Sequence, residues 1–153
     1  MQTQVMFYLL NDENANNQKE NADTCSAFYH ACLQAAYFYR QNQRVFIYTE
    51  NQQSAEQVDE LLWAFDADSF VPHNLVGEGS KAGAMVEISY KAPSNRRPVL
   101  INLTPTMPEF ANKFAFVVDF VPTDETLKQQ ARERFKSCRQ WGFKVENQIV
   151  TEP

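Results

Sequence analysis

Short apolar runs of strand length alternate with segments of helical period along the whole chain. Gln4 to Leu10 (QVMFYLL) is the first such run, and the polar stretch NDENANNQKENAD after it reads as a loop without glycine. Asp23 or Thr24 can cap the next helix by accepting a bond from a free backbone amide. Cys25, Phe28, Tyr29, Cys32, Leu33 and Ala36 then recur at helical spacing, to about Arg40. Arg44 to Glu50 (RVFIYTE) is rich in β-branched and aromatic residues and predicts a second strand. Strand, helix and strand in this order predict a right-handed parallel crossover.

A second helix is expected from about Ser54 to Phe65, with Ala55, Val58, Leu61, Leu62 and Phe65 on one face. Trp63 projects about 140° from the centre of that stripe. The largest side chain of the segment therefore points away from the expected core. The following loop adds Phe70, Val71 and Pro72, then His73, and continues through NLVGEGSKAGAM. Large apolar residues exposed close together in sequence indicate a protein contact; packing of Trp63 under a neighbouring loop is the other reading.

MVEISY predicts a strand, and KAPSNRRP reads as a loop joining adjacent strands. Pro98 to Leu103 predicts another strand, and TMPEFANKF one or two helical turns, with Pro108 placed where a missing amide proton costs little. AFVVDFV, from Ala115, is a nearly continuous apolar run of the kind found in strands covered on both faces. Pro122 ends it, Thr123 or Asp124 caps a last helix, Gly142 terminates that helix, and FKVENQIV can add a strand. The whole chain, 1–153, reads as a single three-layer α/β domain with a Rossmann-like, mainly parallel sheet, an antiparallel edge being open.

Composition narrows the function. With 44% hydrophobic residues in 153, the chain supports one domain with a sizeable core. Four glycines leave few places for close phosphate approach, and the turn after the first strand lacks the glycines of a dinucleotide site. Gly77, Gly79 and Gly83 do not make a phosphate loop, because Lys81 precedes the last glycine and a strand pattern follows. A net charge of −5 opposes general nucleic-acid binding. No leader and no bilayer-length apolar run is visible, so a cytoplasmic protein is expected. Cys25, Cys32 and Cys138 lack metal-site spacing and read as small core hydrophobes, so neither metal nor cofactor is expected.

The last helix carries the strongest functional signal. Lys128, Arg132, Phe135, Lys136, Arg139 and Phe143 fall within an arc of roughly 100°, while Leu127, Ala131 and Cys138 cluster on another side as core contacts. Residues 128–144 hold six basic residues and one acid, Glu133, for a local +5 that leaves −10 for the remainder. A focused patch of this kind raises the local concentration of an anionic partner. Basic residues late in a helix also complement its dipole, which needs no partner at all. No nucleophile elbow or serine–histidine arrangement is present, and His73 has no evident nucleophile beside it. Asp119, a carboxylate in an apolar strand, must be paired or lie at an edge, and reads as structural.

The blocks LLWAFDADSFVPHNLVGEG, VEISY, FVVDFVP and LKQQARERFK, in this order, resemble the chi subunit family of bacterial DNA polymerase III. The resemblance implies a non-enzymatic replisome adaptor on a Rossmann-like fold without a nucleotide site. It further implies two partners, the psi subunit, which tethers chi to the clamp loader, and the acidic C-terminal tail of single-stranded DNA-binding protein. Carried over by position, the tail site comprises Val121 as an apolar wall, Lys128, Arg132, Lys136 and Arg139 as cations, Phe135 beside the pocket, and Gly142. Phe135 departs from the tyrosine expected there. Trp63 and Phe70 would form the psi surface, which a helicase would share in competition. The contrasting expectation, from a different class, is a small phosphate- or nucleotide-handling α/β enzyme.

Overall fold

The computed structural model describes residues 2–10, 22–65, 72–75, 84–93 and 97–149. The polar stretch after the first strand, Phe70, Val71, the loop glycines with Lys81, and the side chains of Cys25 and Phe65 lie outside the described residues. The strands are β1 (Gln4–Leu9), β2 (Val45–Tyr48), β3 (His73–Leu75), β4 (Val86–Ser89), β5 (Val99–Asn102), β6 (Phe116–Val121) and β7 (Lys144–Ile149). The helices are α1 (Ala22–Arg40), α2 (Gln52–Phe65) and α3 (Glu125–Gln140), with a 3-10 turn at Glu109–Lys113.

All seven strands form one sheet in the order β3-β4-β2-β5-β6-β1-β7, and every pairing is parallel. Neither edge is antiparallel. Two local expectations change with this order. His73 lies in edge strand β3 rather than in a loop, because β4 supplies a pairing partner that three residues could not announce. The KAPSNRRP segment does not join neighbours: Val45 of β2 pairs with both Val86 of β4 and Val99 of β5, so β2 lies between them.

Strand alternation sorts side chains into two cores. On one face Val45, Ile47, Val99, Ile101, Val118 and Phe120 meet Phe28, Ala31, Ala35 and Ala36 of α1 and Ala55, Val58 and Leu62 of α2. On the other, Val5, Phe7, Phe46, Leu100 and Val117 meet Ala111 and Phe114 from around the 3-10 turn and Cys138 of α3. The inner strands β2, β5 and β6 are almost wholly apolar because both faces are covered, whereas edge strand β7 (KVENQI) is mostly polar and exposed.

Helix boundaries follow local chemistry. α1 spans Ala22–Arg40, and the side chains of Asp23 and Thr24, the expected caps, lie outside the described residues. Its inward face is centred on Ala31, Ala35 and Phe28, whose small members let the helix approach the sheet closely, and this turns Tyr29 outward to 43% exposure. In α2, Asn51 is the cap, its Oδ1 accepting from the Ser54 amide at 2.8 Å. In α3 the Asp124 carboxylate accepts from the Leu127 amide at 3.0 Å, and Gly142, at φ +80°, stops the helix. Among the described residues no helix is long and apolar enough to cross a membrane.

Candidate protein-binding site

β1 and β6 are neighbours whose chains leave toward opposite faces, β1 toward α1 and β6 toward α3. Such a divergence opens a crevice beyond the strand carboxyl ends. A groove of about 360 Å³ occupies it, lined by Phe7, Leu9 and Leu10 of β1 and its end, Val121 and Pro122 at the end of β6, Asn147 of β7, and Lys128, Arg132 and Phe135 of α3. Its floor is apolar. Phe135 is half-buried with its ring 5.4 Å from that of Phe7, so it forms part of the wall.

The cations stand around this wall at different depths. Lys128, with its side chain one-third exposed, reaches Glu125 at 3.9 Å. Arg132 is exposed and donates from Nη1 to Gln129 Oε1 at 3.1 Å, a contact that an incoming carboxylate can replace. Arg139 lies 6.0 Å from the Phe135 ring centroid, within cation–π reach. Lys136 faces Glu133 at 3.6 Å on the open surface, where such a pair contributes little. Of the residues expected at the tail site, Val121, Lys128, Arg132 and Phe135 meet in the groove, whereas Lys136, Arg139 and Gly142 lie outside its lining. Gly142 accepts a bond from Gln2 Nε2 at 2.7 Å and tethers the chain's start to the end of α3.

Residues 7, 9, 10 and 147 were not legible as site residues, since only the sheet order brings β1 and β7 beside α3. Arg134 was missed for another reason: it was counted with the basic patch, yet it is buried. Its Nε donates to Asp119 Oδ2 at 2.8 Å, Nη1 to Pro105 O at 3.1 Å, and Nη2 to Phe120 O at 3.0 Å. The i+3 spacing from Ala131 and i+4 spacing to Cys138 placed it on the inward face. Asp119 also accepts from the Phe120 amide at 2.6 Å and from Asn102 Nδ2 at 3.4 Å. Burial holds its carboxyl above the usual range, against the pull of the Arg134 guanidinium. Oδ2 thus holds Arg134 of α3 on the sheet, while Oδ1 is satisfied by the next amide of its own strand. A neighbouring cavity of about 150 Å³, over Asn102, Asp119 and Arg134, opens onto this network.

On the opposite side of the sheet, Trp63 is 63% exposed, and its ring centroid lies 5.0 Å from that of His73, edge to face. This is an outward-facing indole resting on a buried imidazole. Phe70, expected beside it, is outside the described residues.

The model for the DNA polymerase III chi subunit, HolC, family matches residues 1–146. The chain belongs to the chi subunit family. The DNA polymerase III subunit chi of Escherichia coli K12 is 45% identical over 142 residues, covering 91% of this chain and 92% of that protein. The subunit chi of Haemophilus influenzae is 43% identical over 122 residues, covering 78% and 85%, and that of Pseudomonas aeruginosa 28% identical over 145 residues, covering 95% of each. A chain of T4 UvsW, at 10% identity and TM-score 0.61, covers 97% of this chain and 41% of its own length, a likeness of fold alone. Membership in the chi family makes the chain a replication accessory subunit whose partners are replisome proteins.

Proposed function

We propose that this chi-family chain is a non-catalytic adaptor with two protein-binding surfaces. The groove takes the acidic C-terminal tail of single-stranded DNA-binding protein. The Trp63 surface takes the psi subunit and, through it, the clamp loader. The observation that carries the reading is the groove's composition: an apolar floor of Phe7, Leu9, Val121 and Phe135 beside the cations Lys128 and Arg132. A peptide ending in an apolar side chain and a free carboxylate matches both parts. Arg132 meets the carboxylate, since a guanidinium can donate two parallel bonds to it. Lys128, Lys136 and Arg139 attract the acidic residues behind, more weakly and with strong screening by salt. A helicase using the Trp63 surface would exclude psi; both bound to one chain would refute that exclusion.

The test is fluorescence anisotropy titration of a labelled acidic peptide ending in free Pro-Phe. Affinity should fall at least about tenfold with Arg132→Ala or with an amidated peptide, the size expected for losing a charge-assisted pair. No binding by folded wild-type protein removes the reading, and saturable nucleotide binding in its place would favour a phosphate-handling enzyme. Trp63→Ala should weaken psi binding and spare the tail, and Arg132→Ala should do the reverse. Equal damage to both partners by either change defeats the two-surface arrangement.

A further inference from the structure

Asp59 and Trp63 stand four residues apart on α2 and so share a side of the helix, the side that meets β3. His73, the first residue of β3, lies against both. Its side chain is fully buried, its Nε2 is 3.3 Å from Asp59 Oδ1, and the Asp59 side chain is 23% exposed. The carboxylate faces the Nε2 edge of the ring at that distance and so favours one orientation of the imidazole. The indole of Trp63 packs edge to face on that ring at an interplanar angle of 66°.

We propose that Asp59 and His73 are positioning residues for Trp63: the buried imidazole, oriented by the carboxylate, holds the indole in one solvent-facing pose, ready to anchor an apolar segment of the partner. The proposal rests on the assignment of the Trp63 surface to psi. Its physical content is preorganisation. An exposed indole free to turn loses rotamer entropy when it docks, whereas one already seated on a rigid ring does not. The aromatic contact also has a preferred geometry, which a merely apolar neighbour would not impose.

The test uses the full chain carrying Trp141→Phe, which leaves Trp63 as the single tryptophan of the two in the sequence. Time-resolved fluorescence anisotropy of the free protein should show the indole tumbling with the whole molecule. His73→Ala should add a fast local component, and His73→Phe, which restores a ring, should remove it again. Asp59→Ala, in which the buried histidine is retained, should also loosen the indole. Titration with psi should then show about three- to tenfold weaker binding for His73→Ala, rescued by His73→Phe, the range expected for one aromatic pair. Unchanged indole order in both His73→Ala and Asp59→Ala would overturn the positioning role. Loss of order together with psi binding indifferent to Trp63→Ala would instead overturn the anchor and the surface assignment, so the two failures are distinguishable.

Discussion

Removing the Arg134 side chain separates stability from binding on one helix. Arg134→Ala deletes three donors, to Asp119, Pro105 and Phe120, and leaves the Asp119 carboxylate, 1% exposed in the intact protein, with only the Phe120 amide and a long contact from Asn102. Stranding one member of a buried pair costs about 3–5 kcal/mol. For a chain of this length that lowers the melting temperature by about 6–20 °C. The loss has a pH signature. Burial already raises the Asp119 pKa in the folded protein, with Arg134 the largest opposing influence, so removing the arginine raises it further. A carboxyl whose folded pKa lies above its unfolded value favours folding only when protonated. Its penalty is absent below the unfolded pKa, grows as pH rises toward the folded pKa, and is constant beyond it. Urea unfolding of the wild type and variant at several pH values between 4 and 8 should therefore show a gap that widens with pH. Replacing both partners, as Asp119→Leu with Arg134→Met, strands no charge and should recover most of the loss. A gap below about 1 kcal/mol, or one of equal size at pH 4 and pH 8, refutes the assignment of a buried, mutually dependent pair. Arg132→Ala, two residues away and exposed, should leave unfolding unchanged.

Three further outcomes are expected. Gly142→Ala puts a side chain at φ +80°, where the added carbon meets nothing within 4 Å, so the cost is conformational alone, about 1–2 kcal/mol in urea unfolding; an unchanged midpoint would mean the turn relaxes freely. In a Cys25→Ser variant, Cys32 and Cys138, whose thiols burial pushes up to about 12, should react with a disulfide reagent at pH 8 only as fast as the protein opens; rapid native labelling would contradict their burial. Phe135→Tyr adds a hydroxyl to the groove wall and should tighten the tail peptide by about 2- to 12-fold, the worth of one net hydrogen bond. No change would mean the hydroxyl finds no acceptor on the peptide.

The sequence determined the alternation of strands and helices, because apolar period and turn residues are local properties. The apolar run around Asp119, the Asp124 cap and the Gly142 stop all appear in the fold as their chemistry requires. It also set the outward direction of Trp63, which follows from projection alone. The family itself was legible in the blocks around FVVDFVP and LKQQARERFK, and the match over residues 1–146 carries the same identification. What the tertiary structure decided is adjacency. Parallel order cannot be read from strand patterns that look alike, so only the folded sheet shows β2 between β4 and β5, and β1 between β6 and β7. That order supplies Phe7, Leu9, Leu10 and Asn147 to the groove from segments more than 100 residues apart. It likewise distinguishes Arg134 from Arg132: equal in charge and nearly adjacent in sequence, they differ because one side chain faces a buried carboxylate and the other faces water.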